Sequence, residues 1–203
     1  MKPLKRSFYN RPATLVAREI LGARLVRLID GQRLVGMISE AEAYQGEEDL
    51  GCHAHFGKTQ RNAVMYGPPG HAYVYFTYGM HWMLNVVTGG EGEPAAVLIR
   101  AIQPLEGLEL LEKNRPHLAN TRQWLNGPAK LTQAMLVDRR LNGIDLCDSN
   151  GELSIVPAAP VPEENVIKTA RIGLFTVPEP WKSIPWRYVI VKEKDQLHDE
   201  IRK

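Results

Sequence analysis

Residues 39–44 read SEAEAY, and this alternation of polar or aromatic residues with small ones predicts a β-strand. Because successive side chains of a strand point to opposite faces, Glu40, Glu42 and Tyr44 share one face and the two alanines the other. The alanine face is small enough to pack closely against a core. Two carboxylates and a ring are costly to bury, so their face is either half exposed to water or a binding site.

The spacing of Glu42 and Tyr44 suits a flat ligand. Two residues apart along a strand, they lie about 7 Å from each other. A planar ring can then stack on the tyrosine while the carboxylate reaches a bond at the edge of that ring. General-base activation of a water by Glu42 is one chemistry that this arrangement allows.

The strand is the second arm of a predicted hairpin. Asp30-Gly31, a strong turn signal, joins ARLVRLI (23–29) to QRLVGMI (32–38), which continues into SEAEAY. The candidate site is therefore attached to a sheet. Upstream, residues 10–22 predict one helix with Asn10 as its N-cap.

Downstream, residues 71–88 predict a strand pair that turns near 77–80 and places Tyr78 at an exposed tip. The other predicted elements are a strand in AAVLIRAI (95–102), helices in LEGLELLEKNR (105–115) and NGPAKLTQAMLV (126–137), and short strands in GIDLC (143–147), ELSIV (152–156), RIGLF (171–175) and RYVIV (187–191). This mixture predicts a single α+β domain over residues 1–203, built on mainly antiparallel pairing.

Composition sets wide limits on the function. A net charge of +2 permits nucleic-acid binding without requiring it. Cys52 and Cys147 are far apart in the sequence, which indicates neither a disulfide framework nor a zinc site. No run of about 18 apolar residues predicts a membrane span, and the N-terminus lacks the apolar core of a signal peptide. We therefore expect a cytoplasmic protein.

Polar aromatic residues are concentrated beside a long irregular segment, residues 45–71. Five of the seven tyrosines lie between positions 44 and 78, and four of the six histidines between 53 and 81. Such a stripe could belong to the core, but tyrosine and histidine each keep a polar atom that needs a partner. We favour a stacking platform for flat bases.

Two further interpretations concern charged residues near Glu42. Glu42 with Asp49, His53 and His55 could hold a divalent metal, but their spacing matches no standard motif, so we disfavour this interpretation. Arg100 lies in an apolar strand and needs an anionic partner if buried. Glu42 is the natural candidate, and the arginine would then keep that carboxylate ionised. Otherwise Arg100 reaches solvent at the end of its strand.

Four segments resemble, in order, the alkyladenine (3-methyladenine) DNA glycosylase family: EAEAYQGEEDLGCH (40–53), RNAVMYGPPGHAYVYFTYGMHWMLN (61–85), VLIRAIQPLEG (97–107) and NGPAKLTQA (126–134). The resemblance runs from about Phe8 to about Val191. It implies a curved, mainly antiparallel sheet with flanking helices, similar to the formyltransferase C-terminal domain. It also implies a monomer that uses no metal or organic cofactor.

The activity implied by the resemblance is flipping of a damaged purine out of duplex DNA and hydrolysis of its N-glycosylic bond. The expected substrate is 3-methyladenine, with hypoxanthine and ethenoadenine as further candidates. Glu42 matches the catalytic base, Arg100 a residue that helps hold the water, and Tyr78 the wedge that enters the minor groove. The alternative is a non-catalytic nucleic-acid-binding module with the same aromatic platform, which would not need the two charged residues.

The resemblance also implies how the base is bound. Tyr44, His53 and Tyr75 match the aromatic walls around the flipped base. Asn85 matches the residue whose side chain obstructs the amino group of guanine. Glu40 shares the face of Glu42 but has no role that the sequence assigns.

Overall fold

The computed structural model describes residues 2–115 and 125–191. Eight strands in this part of the chain form one sheet: β1 (Arg24–Ile29), β2 (Gln32–Gln45), β3 (Ala72–Thr77), β4 (His81–Thr88), β5 (Ala95–Glu106), β6 (Leu153–Val156), β7 (Val166–Thr169) and β8 (Arg187–Ile190). Their order is β3-β4-β5-β2-β1-β6, with β8 on β2 and β7 on β8, and every pair is antiparallel. With few helices beside this curled sheet, the predicted α+β fold is confirmed.

Strand β2 lies at the centre of the sheet and carries the SEAEAY residues. Along one edge it pairs with β5; along the other it pairs first with β1 and then, from Glu40 to Glu42, with β8. The β2–β5 register shifts on both sides of Glu40, and such irregularities bend a strand. One strand therefore brings three others together around Glu40 and Glu42.

The two faces of β2 differ as the sequence predicts. Ala41 and Ala43 are fully buried in the main hydrophobic core. On the other face Glu42 is 0% exposed, and its neighbour Glu40 keeps only 14% of its side chain exposed. The interpretation of a half-exposed polar face is therefore wrong, and each carboxylate must find partners inside the protein.

Both predicted hairpins are confirmed. Asp30 and Gly31 connect β1 to β2 with φ of 48° and 79°, the positive values that a two-residue type I′ turn requires. Strands β3 and β4 are joined by a turn at residues 78–80. Tyr78 lies in this turn with φ of 53° and is 80% exposed.

The helix predicted at residues 10–22 is present but shorter, as α2 (Ala13–Glu19), and its predicted N-cap is wrong. A separate short helix, α1 (Arg6–Tyr9), precedes it. Asn10 is the C-cap of α1, and Pro12 precedes α2. The break follows from Pro12, because a proline disfavours the helical conformation of the residue before it.

The later elements agree with the sequence only in part. Helices α3 (Leu108–Asn114) and α4 (Pro128–Ala134) and strands β6 and β8 lie where they are predicted. The predicted strands at 143–147 and 171–175 are turns, apart from a single bridge between His71 and Asp145. Strand β7 was not predicted. In the described residues no helix has the length and apolarity needed to cross a membrane.

Candidate active site

A cavity of about 310 Å³ opens beside strands β3, β4 and β5. Its wall is closed by residues from the 45–71 segment and by the turn at residues 172–174. Six residues predicted from the sequence line it together: Tyr44, His53, Tyr75, Tyr78, Asn85 and Arg100. Glu42 does not line the cavity. It lies directly behind the wall, since Tyr44, Arg100 and Ile172, which all bond to its carboxylate, are lining residues.

The aromatic side of the cavity is a connected set of rings. The His53 and Tyr75 ring centroids lie 4.4 Å apart, nearly perpendicular, and those of Tyr73 and Tyr75 lie 5.3 Å apart. His53 Nδ1 is 2.9 Å from the hydroxyl of Tyr73. Burial, helped by the charge of Arg61, lowers the pKa of His53 to about 4. The ring is therefore neutral at physiological pH and suits stacking rather than acid catalysis.

Glu42 accepts three hydrogen bonds. Its Oε2 accepts from the Tyr44 hydroxyl at 2.8 Å and from Arg100 Nη1 at 3.2 Å, and its Oε1 accepts from the Ile172 backbone N–H at 2.7 Å. A carboxylate offers about four acceptor positions, so one more hydrogen bond fits, on Oε1.

Burial raises the pKa of Glu42 above its ordinary value and outweighs the opposing effects of Arg100, the Ile172 N–H and Tyr44. The contact with Arg100 is as predicted, and it does favour the ionised form. The net direction is nonetheless upward, since desolvation is the larger effect. A carboxylate with a raised pKa is a stronger base in its ionised state.

Arg100 has a second carboxylate partner that the sequence did not reveal. Its Nε donates to Glu40 Oε1 at 2.7 Å, and Arg187 Nε donates to the same oxygen at 2.6 Å. The side chain of Arg100 is only 11% exposed, so the alternative in which it reaches solvent is wrong. Glu40, left without a role by the sequence, therefore contacts both Arg100 and Arg187.

Arg171 is a further residue of the site that the sequence did not reveal, and its partner is Asp49, which the sequence suggested only as a metal ligand. They form a fully buried ion pair, and Arg171 also lies 4.7 Å over the Tyr44 ring. A Cβ at Gly51 would come within 2.8 Å of Arg171 Nη2, so only glycine leaves room for the guanidinium. The signal was present, because Arg171 stands among apolar residues as Arg100 does and needs an anion for the same reason.

The residues considered for a metal site are directed to other partners. Asp49 bonds Arg171, His53 bonds Tyr73, and His55 Nδ1 lies 3.2 Å from the carbonyl of Glu47. Over residues 2–115 and 125–191, no group of three or more His, Cys, Asp or Glu side chains is placed to hold a metal ion.

Asn85 and Tyr78 occupy opposite ends of one strand pair. Asn85, on β4, is buried and donates from Nδ2 to the carbonyl of Tyr73 at 3.0 Å, which fixes its side chain at the cavity wall. Tyr78 lies at the hairpin tip, largely in solvent. The strand pair thus holds Asn85 buried in the cavity wall and projects most of Tyr78, which also lines the cavity, into solvent.

Comparison with known proteins identifies relatives over nearly the whole chain. The model of the family Methylpurine-DNA glycosylase (MPG) matches residues 7–194. A protein of Carboxydothermus hydrogenoformans is 47% identical over 192 residues, which cover 94% of this chain and 96% of that protein. Proteins of Desulfitobacterium hafniense (94% and 96% covered) and Methanocella arvoryzae (93% and 92%) are each 46% identical. All three carry the name "Putative 3-methyladenine DNA glycosylase".

Proposed function

Because the chain belongs to the methylpurine-DNA glycosylase family, we propose that it flips 3-methyladenine out of duplex DNA into the cavity and hydrolyses the N-glycosylic bond there. Membership makes the chain a DNA glycosylase of base excision repair. It also removes the alternative of a non-catalytic binding module.

Glu42 is the proposed general base. A water bonded to Oε1, between the cavity-lining Arg100 and Ile172, gives a proton to the carboxylate as its oxygen attacks the anomeric carbon of the sugar. The bond from that carbon to the purine nitrogen breaks, and its electron pair leaves with the base. Arg100 helps hold the water. A positioned base of this kind contributes about 10²–10⁴ to the rate.

The flipped purine stacks between the aromatic walls of Tyr44, His53 and Tyr75. Stacking is worth roughly 1–3 kcal/mol per base, which offsets much of the cost of unstacking. A cationic 3-methyladenine is electron-poor and gains most from these rings. Its positive charge also makes it a good leaving group, so the reaction needs no residue that protonates the base.

Two residues of the β3–β4 pair have separate roles: one contacts the duplex and the other selects the base. Tyr78, 80% exposed at the hairpin tip, enters the minor groove and fills the space that the flipped nucleotide leaves. Asn85, held by its hydrogen bond to Tyr73, obstructs the 2-amino group of guanine. Adenine has no amino group at this position. The selection is then by clash as well as by contact.

The single observation that carries this proposal is the position of Glu42, a buried carboxylate with three donors, directly behind an aromatic cavity. The test is a base-release assay, without added metal, on duplex oligonucleotides that each carry one lesion. We expect release of 3-methyladenine, which leaves as a neutral base, and slower release of hypoxanthine and ethenoadenine, whose uncharged nucleotides expel an anionic base unless that base is first protonated. An undamaged duplex is the control. Absence of release from the 3-methyladenine duplex would overturn the proposal.

A further inference from the structure

Glu40 bonds two arginines through a single oxygen. Its Oε1 accepts from Arg100 Nε at 2.7 Å and from Arg187 Nε at 2.6 Å. Arg187 is in turn held by the hydroxyl of Thr169 at 3.0 Å. All three charged side chains are mostly shielded from solvent, so these contacts are stronger than surface ion pairs.

The contact between Arg100 and Glu42 is weak beside the other buried pair of the site. Arg171 grips Asp49 with two nitrogens, at 2.5 and 2.7 Å. Arg100 reaches Glu42 with one nitrogen only, at 3.2 Å, because its Nε is directed to Glu40. A two-pronged contact is the stronger geometry for a guanidinium and a carboxylate. Glu40 therefore prevents Arg100 from making such a two-pronged contact with Glu42.

We propose that Glu40 is a positioning residue for hydrolysis: backed by Arg187, it holds Arg100 in a single long hydrogen bond to Glu42 and so preserves the basicity of that carboxylate. The inference rests on the proposed role of Glu42 as the base. Without Glu40, Arg100 is free to bind Glu42 with two nitrogens. Such a contact stabilises the ionised carboxylate of Glu42 and makes it a weaker proton acceptor. Glu40 itself is not one of the residues that line the cavity.

A purely structural role for Glu40 is the competing explanation. Glu40 lies on β2 and Arg187 on β8, so their ion pair also helps hold the two strands together. Loss of either partner would remove this ion pair equally. The two explanations separate when each partner is removed in turn, because the two side chains have opposite charges.

The charged and titratable groups that face Glu42 come from every element packed against it: Tyr44 and Glu40 on β2, Tyr75 on β3, Arg100 on β5, Arg187 on β8, and Arg171 in the turn before Ile172. Removing the negative charge of Glu40 and releasing Arg100 both favour ionised Glu42. The pKa of Glu42 then falls. Removing the positive charge of Arg187 leaves Glu40 with Arg100 alone, and the pKa of Glu42 then rises.

The experiment measures single-turnover release of 3-methyladenine from a duplex as a function of pH. Activity requires ionised Glu42, so the acid limb of the profile follows its pKa. For Glu40→Gln we expect the acid limb to move to lower pH and the plateau rate to fall about 10-fold. This loss is smaller than the about 10²–10⁴ reduction in rate expected when the general base itself is removed. For Arg187→Gln we expect the limb at higher pH. Glu152→Gln, which removes the carboxylate that pairs with Arg27 on β1, away from Glu42, should leave the profile unchanged.

The inference would be overturned if the acid limb moves in the same direction in both variants, or if it moves in neither variant. If Glu40→Gln does not fold, Arg187→Gln alone decides, since a limb that stays or moves to lower pH contradicts the proposal. Glu42→Gln is assayed in parallel. Excision retained by Glu42→Gln would refute the proposed base itself, whereas an inactive Glu42→Gln with unshifted limbs in the other variants would refute only the role of Glu40.

Discussion

Asp49 and Arg171 form a two-pronged ion pair that is completely closed to solvent, with Oδ2 2.5 Å from Nη1 and Oδ1 2.7 Å from Nη2. The pair ties the segment after β2 to the turn that supplies the Ile172 N–H. It also seats the guanidinium between the rings of Tyr44 and Trp186, at 4.7 and 5.2 Å. One buried contact therefore supports an aromatic wall of the cavity and one hydrogen bond to Glu42.

Breaking this pair should be costly. Asp49→Asn leaves the buried charge of Arg171 without its anionic partner, and we expect the free energy of unfolding to fall by about 3–5 kcal/mol. Urea denaturation followed by tryptophan fluorescence measures it. Glu106→Gln, which removes a solvent-exposed partner of Arg33 at 3.7 Å, is the matched control and should change little. Equal, small effects in both variants would show that the buried pair does not stabilise the fold.

Tyr78→Ala should weaken binding to a duplex that contains a lesion more than binding to the matching single strand. The reason is that only a duplex leaves a gap for the side chain to fill. A loss of about 10-fold on the duplex corresponds to the lower end of stacking energies. Fluorescence anisotropy with both DNA forms measures it. Phe56→Ala, which removes another exposed ring, is the control, and equal losses on both DNA forms would remove the wedge role.

Asn85→Ser should relax the selection against guanine. The shorter side chain gives up the hydrogen bond to Tyr73 and opens space at the cavity wall. We expect release of alkylated guanine, relative to 3-methyladenine, to rise about 10-fold, the scale of a single group in a pocket. Met83→Leu changes another lining residue at nearly constant volume and should keep the ratio. An unchanged ratio for Asn85→Ser would count against obstruction at this position.

His53 should make the fold less stable in mild acid. Burial, with the charge of Arg61, lowers its pKa from 6.5 to about 4 in the folded state. Between these values the unfolded chain binds a proton that the folded chain does not, so stability is complete above pH 6.5 and is lost as the pH falls towards about 4. The loss reaches about 3 kcal/mol at about 1.4 kcal/mol per pKa unit.

The measurement is the melting temperature as a function of pH for wild type, His53→Gln and His81→Gln. His53→Gln should flatten the slope in this range, and the variant of the exposed His81 should keep it. Identical slopes in wild type and His53→Gln would mean that His53 is protonated as easily in the folded state as in the unfolded one.

Local patterns predicted the framework of the fold. The Asp30-Gly31 turn, the alternation in SEAEAY and the strand pair at 71–88 are each determined by near neighbours in the chain, and all three are present. The helix predicted at 10–22 begins only at Ala13, because Pro12 disfavours the helical conformation of the residue before it, an effect that the apolar periodicity does not show. The strand predicted at 171–175 failed for a long-range reason: Arg171 is drawn to Asp49, and the Ile172 N–H goes to Glu42 instead of a neighbouring strand.

The site was predictable as a set of residues but not as a network. Glu42, Tyr44 and Arg100 were identified by the cost of burying their polar groups, an argument that needs no tertiary structure. The partner that completes the contacts of Glu40, Arg187, lies 147 residues away in the chain. Nothing in its short strand RYVIV indicates that it pairs with β2. Contacts of this range follow from the topology of the sheet, which the sequence alone did not provide.

The most direct test of the account is the rate at which Glu42→Gln releases 3-methyladenine from a duplex. Glutamine keeps the shape of the side chain but cannot take up the proton of the attacking water. We predict that excision falls by about 10²–10⁴, while the variant still binds duplex DNA that contains the lesion and Glu152→Gln excises as wild type does. Excision by Glu42→Gln at the wild-type rate would contradict the assignment of Glu42 as the base.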